Sequence, residues 1–123
     1  MGFAKLPIPP GGTNRMHRTG NGFTYTPKPV KAWRQSADAI LARYEPQHGD
    51  FGVIVAYHPK ARKKASESPL RRLDVDGPLK PVLDVLQGRV YHDDRQVVLA
   101  AVILCEPVAG GAVRVVWGQL GDE

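Results

Sequence analysis

Between residues 73 and 96 the chain carries five aspartates and one lysine in a spacing that suits a divalent cation. The first part reads Leu73-Asp74-Val75-Asp76-Gly77-Pro78-Leu79-Lys80, and the second Tyr91-His92-Asp93-Asp94-Arg95-Gln96. Asp74 and Asp76 are two apart, so an extended segment points both side chains the same way. A short helix and return can bring Asp93 and Asp94 to meet them. Carboxylates gathered in this way repel one another unless a cation joins them. An all-oxygen set suits Mg2+ or Mn2+ better than Zn2+. Such ions, alone or as a pair about 3.5–4 Å apart, polarise a phosphoryl oxygen, acidify a bound water and stabilise the leaving oxygen. Lys80, four residues beyond Asp76, shares its helical face and can neutralise charge growing on a phosphate.

Each piece also has an ordinary reading. Asp76 before Gly77-Pro78 can be a helix N-cap, Asp93-Asp94 a polar turn, and Lys80 with Asp84 an i,i+4 pair on a solvated face. Spacing alone leaves these open. His17, His48, His58 and His92 show no ligand spacing with the single cysteine, Cys105, which argues against a zinc site. His92 adjoins the aspartate pair but is expected to stay outside the site. Trp33 and Tyr44 are expected in the core rather than on a base-stacking surface. No Walker-type glycine-rich loop is present, so no nucleotide cofactor is expected.

The elements that must position these residues follow from pattern. Residues 3–8 and Phe23-Thr24-Tyr25 predict short strands. Val30, Trp33, Ala37, Ile40, Leu41 and Tyr44 recur at helical spacing over 30–44, stopped by Pro46 and Gly49. The run 51–57, FGVIVAY, predicts a buried strand. A polar basic loop is expected over 58–72. Leu79, Val82, Leu83 and Leu86 predict a second helix over 79–87, with prolines tolerated in its first turn and Gly88 as its C-terminal cap. Two strands over 96–105 and 112–118 are expected to be joined hairpin-fashion through Pro107–Gly111. The expected fold is α+β: one domain over residues 1–123, a mixed β-sheet with two α-helices packed against it.

Composition narrows the partners. The 123-residue chain has a net charge of +5, but the signs are segregated. Residues 1–72 hold 13 basic and 4 acidic side chains, whereas 73–123 hold 4 and 8. A basic surface attracts polyanions. Lys60, Arg62, Lys63, Lys64, Arg71 and Arg72 directly precede Asp74 and can meet backbone phosphates, with Arg15 and Lys28 as further candidates; a plain solvated loop is the alternative. The lone cysteine, the lack of an apolar signal segment and the shortness of the longest apolar run predict a cytoplasmic protein without membrane contact.

The order DVDGPLKPVLDVL, a short turn and then DDRQV resembles the signature of the RusA family of Holliday junction resolvases. Pro9-Pro10-Gly11-Gly12-Thr13-Asn14-Arg15 is similar to that family's N-terminal proline-rich, asparagine-containing motif. The resemblance implies a RusA-like, homodimeric fold. It further implies an Mg2+- or Mn2+-dependent endodeoxyribonuclease, bacterial or phage-encoded, that resolves four-way junctions in recombination and repair by paired symmetric nicks. On this resemblance Asp74, Asp76 and Asp94 hold the metal, with Asp93 beside them, and Lys80 is the essential lysine. Asn14, Arg15, Lys28, Lys63, Lys64, Arg71, Arg72 and Lys80 are then expected on the DNA. Gly77 departs from the pattern, standing where the family usually has asparagine, so activity is expected to be altered rather than lost. The alternative function is a non-catalytic basic nucleic-acid-binding module that keeps the aspartates for caps and turns. A third is a metal-dependent phosphodiesterase for small substrates.

Overall fold

The computed structural model describes residues 1–10, 18–20, 23–25, 28–61 and 77–121. Within them run β1 (Gly2–Leu6), β2 (Arg18–Gly20), β3 (Phe23–Tyr25), α1 (Lys28–Leu41), β4 (Asp50–His58), α2 (Leu79–Leu86), a 3-10 turn (Asp94–Gln96), β5 (Val97–Leu104) and β6 (Ala112–Leu120). β2 and β3 form a separate antiparallel pair. The other four strands make a mixed sheet in the order β1-β6-β4-β5. Together with the two helices this is the expected α+β architecture.

β4 organises the sheet. Its alternating run places Phe51, Val53 and Val55 on the covered face, all buried. On one side it pairs antiparallel with β6, Val53 opposite Trp117 and Val55 opposite Val115. On the other it pairs parallel with β5, Val55 opposite Val102. A parallel neighbour requires a crossover, and the segment containing α2 supplies it.

The last two strands are therefore not a hairpin. β4 lies between them, and the chain leaving β5 must cross the end of β4 before it can become β6. It does so by running beside residues 59–61: Val108 donates to the Pro59 carbonyl at 3.0 Å and accepts from the Ala61 amide at 2.9 Å. Gly110 and Gly111, at φ +74° and +71°, then turn it into β6. A side chain at Gly111 would collide with Ile8. Pattern reading finds strands but not partners, because two amphipathic strands joined by a Gly-rich turn look alike in either topology.

Both helices cover the same face. α1 buries Val30, Trp33, Ala37 and Leu41, while Ile40 points to solvent and Tyr44 lies beyond the helix end. The Trp33 indole donates to the Pro7 carbonyl, tying α1 to the end of β1. α2 buries Pro81, Val82, Val85 and Leu86. Val82, Val85 and Leu86 join Leu6, Val113, Val115, Val90 and Tyr91 in one core. Gly88, at φ +87°, follows α2 in the left-handed conformation expected of a terminating glycine. The opposite face of the sheet has no cover among the described residues: Phe3, Ile54, Leu99, Ile103, Val116 and Leu120 are all exposed.

Candidate active site

The aspartate pair sits on a turn built to hold it. Asp93 is the N-cap of the 3-10 turn, its carboxylate accepting from the Arg95 backbone amide at 2.9 Å. Gln96 closes a reciprocal capping box, its side-chain oxygen accepting from the amides of Asp93 (3.0 Å) and His92 (2.8 Å). The Gln96 amide group donates onward to the carbonyls of Gln47 (2.9 Å) and Gly49 (2.8 Å). The Asp94 amide is held by the Gln87 side chain, 3.0 Å away, just past the end of α2. Two glutamines thus fix the three successive amides of His92, Asp93 and Asp94, and Gln96 locks the turn to the loop before β4.

The two members of the pair differ. The Asp93 carboxylate also receives the Arg95 guanidinium, at 3.0 and 3.2 Å. Bonds from that side chain and from the Arg95 backbone hold its pKa down at about 2. Asp93 is therefore spoken for by its own turn. Asp94 forms no ion pair with a described cation.

Tyr91 connects Asp94 to α2. Its ring is fully buried and its hydroxyl donates to the Leu83 carbonyl at 2.7 Å. Burial first, then the carboxylates of Asp94 and Asp84, push its pKa well above the usual phenol value. The phenol is consequently a fixed neutral post, not a proton acceptor at neutral pH, and both carboxylates act on it from α2 and from the turn. Lys80, in the first turn of α2, reaches Asp84 at 3.6 Å. Its solvent exposure makes that pair weak.

Pro78, not Asp76, occupies the N-cap of α2, and proline has no side-chain oxygen with which to cap. Asp74 and Asp76 lie outside the described residues, as do Asn14, Arg15, Arg62, Lys63, Lys64, Arg71 and Arg72. Lys28 begins α1 and is exposed. His92 stacks on His48, ring centres 4.4 Å apart. Among the described residues no three metal-ligating side chains converge. Asp84 and Asp94 are the two carboxylates whose charge acts on Tyr91, and carboxylate oxygens are donors that suit a hard divalent cation.

Sequence reasoning missed Gln87, Tyr91 and Gln96 as positioning residues. Gln96 had a legible signal, the spacing of a capping box opened by Asp93. It also missed His58, which is buried, with Nδ1 bonded to the Glu106 carbonyl (2.9 Å) and Nε2 to the Arg114 guanidinium (2.7 Å).

The family model for endodeoxyribonuclease RusA matches residues 7–116, from the end of β1 to the middle of β6. The chain belongs to the RusA family. It is thereby an endodeoxyribonuclease, hydrolysing DNA phosphodiester bonds, of the Holliday junction resolvase type. The match spans the Asp93-Asp94 turn, α2 and the whole acidic stretch that precedes it. No individual curated protein matches the chain. No helix among the described residues is long and apolar enough to cross a membrane.

Proposed function

We propose that this RusA-family chain is an Mg2+- or Mn2+-dependent enzyme that resolves four-way DNA junctions by paired symmetric nicks, acting as a homodimer. Asp74, Asp76 and Asp94 are the residues that would hold the cation, with Lys80 at the scissile phosphate. The observation that carries this reading is the bracing of Asp94. Gln87 and Gln96 fix its main chain while Arg95 occupies Asp93 and leaves Asp94 to other work. A turn needing only a cap would not require the second aspartate.

A divalent cation held there would supply Lewis acidity toward the phosphoryl oxygen and an acidified water. The chain's own groups do the rest. Lys80 can leave Asp84 for the phosphate, balancing charge as it develops. Tyr91 keeps its proton and holds α2 against the turn, so that the carboxylates stay aligned. Lys63, Lys64, Arg71 and Arg72 contribute sequence-independent attraction to the backbone.

The uncovered sheet face supports the dimer. Phe3, Val116 and Ile54 are register neighbours, so one apolar row crosses β1, β6 and β4. Exposed apolar patches of this kind mark association surfaces. Lys5 and Arg114 lie toward one end of the same face and Asp50 toward the other. A two-fold axis running across the strands would set the basic end of one copy over the acidic end of the other.

The test is cleavage of a synthetic four-way junction against linear duplex, with Mg2+ and with EDTA. Junction-selective, metal-dependent cutting is expected, lost in Asp74→Asn and Asp94→Asn while binding persists. Asn variants that still cut would refute the site. Cutting by no preparation with either metal would favour a binding module.

A further inference from the structure

We infer that a cavity whose wall residue Gln47 is tied through Gln96 to the Asp93-Asp94 turn is a base-reading pocket that takes one unstacked nucleobase next to the scissile phosphate. This rests on the nuclease reading above and adds to it the determinant of sequence preference. The cavity measures about 580 Å3 and opens where the end of α1, the start of β4 and the end of β6 meet. That is within the size of small-molecule sites and ample for a base.

Its lining has the chemistry of a base site. Phe51 and Trp117 form an apolar floor, and the Tyr44 ring stands edge-on to Trp117, centroids 5.0 Å apart at 82°. The Arg43 guanidinium lies 4.9 Å from the centre of the Tyr44 ring and donates to its hydroxyl at 2.7 Å. The Tyr44 hydroxyl in turn donates to the Phe3 carbonyl at 3.2 Å. A guanidinium plane held in this way is a stacking platform for a base. At the rim, Gln47 and Gln119 offer amide groups. The Gln119 amide nitrogen donates to the His48 carbonyl at 2.6 Å. The Gln47 side chain has no hydrogen-bond partner among the described residues.

The pocket wall and the aspartate turn are one unit. Gln96 bonds the carbonyls of Gln47 and Gly49 with its amide group and the amides of His92 and Asp93 with its oxygen. The Gln47 amide donates to the Val90 carbonyl at 3.0 Å. In this proposal a strand whose phosphate sits at Asp94 presents a flanking nucleotide to the cavity, whose wall shares the Gln96 ties with the turn. At a junction crossover the strands part, so turning a base out costs less than in intact duplex.

The experiment uses the full-length protein and four-way junctions that differ at the nucleotides flanking the cut, including single abasic replacements. Wild type should lose roughly tenfold or more in cleavage rate at one abasic position and little at the others, the loss expected when a stacked base is removed. Arg43→Ala and Gln47→Ala, both at exposed positions, should cut the intact junction about as slowly as wild type cuts the abasic one, and show no further loss on it. Equal sensitivity of wild type and variants to the abasic site, or none in wild type, would overturn the pocket while leaving the nuclease reading standing. If no preparation cuts, fluorescence of 2-aminopurine at the same positions decides. Quenching on binding that Gln47→Ala abolishes supports the pocket, and unchanged fluorescence in wild type refutes it.

Discussion

Asp93 and Gln96 satisfy each other across a single tight turn. The carboxylate of the first caps the turn's amides, and the side-chain oxygen of the second accepts the amide of the first at 3.0 Å. Because the same Gln96 reaches Gln47 and Gly49, a local cap becomes a tie between the candidate site and the sheet.

Gln96→Ala removes the reciprocal half of the capping box and the tie together. A loss of about 1–2 kcal/mol in unfolding free energy is expected, with a fall in cleavage rate larger than any change in junction binding. Gln96→Glu keeps the acceptor for the His92 and Asp93 amides but loses the donor to Gln47 and Gly49, and should fall between. Denaturant unfolding alongside single-turnover cleavage checks both.

Asp93→Asn and Asp94→Asn should separate stability from chemistry. If Asp94 holds the cation as proposed, its variant is expected to fold normally and lose cleavage by more than the roughly 10–100-fold typical of residues one shell out from a metal. The Asp93 variant should retain substantial cleavage. Equal loss in both would show that the pair acts jointly.

The Asp93 pKa also predicts a pH effect on stability. It is depressed in the folded chain to about 2, below the value of about 3.9 for a free aspartate. The stabilisation is present in full above roughly pH 4 and is lost as pH falls toward 2. Its exposure makes the contribution small. Thermal melts of wild type and Asp93→Asn should converge over that window and differ most at neutral pH.

Ile54→Asp places a charge in the middle of the uncovered sheet face without touching the core. Sedimentation should show the wild type as a dimer and the variant as a monomer, and paired incision should give way to uncoupled single nicks. A wild type that is monomeric at micromolar concentration would refute the proposed association.

Binding should weaken steeply with salt. If Lys63 and Lys64 each neutralise a phosphate, replacing both by alanine should reduce the slope of log K against log salt by about 2. An unchanged slope would place them off the DNA.

Much of the architecture was legible from residue spacing. Val82 and Leu86 marked α2, Gly88 its end, and the β-branched run after Phe51 the central strand, because burial on one face imposes a period. What was not legible depended on non-local pairing. Nothing within residues 96–118 says that β4 will lie between β5 and β6, since their register is set by strands far away in sequence. Of the candidate site, Asp93, Asp94 and Lys80 could be picked out by residue type, but the division of labour within the pair could not. It arises because Arg95 folds back on Asp93 while Gln87, across the turn, holds Asp94.

Gly2 pairs with Trp117, so among the described residues the first strand of the sheet finds its one neighbour in the last. During synthesis β1 cannot take up this pairing until the residues of β6, more than a hundred positions later in sequence, have left the ribosome. A closure spanning so much of the chain is slow compared with local helix formation. Truncations that remove β6 should therefore leave not a smaller domain but an incomplete sheet, with β1 and β4 each missing a neighbour.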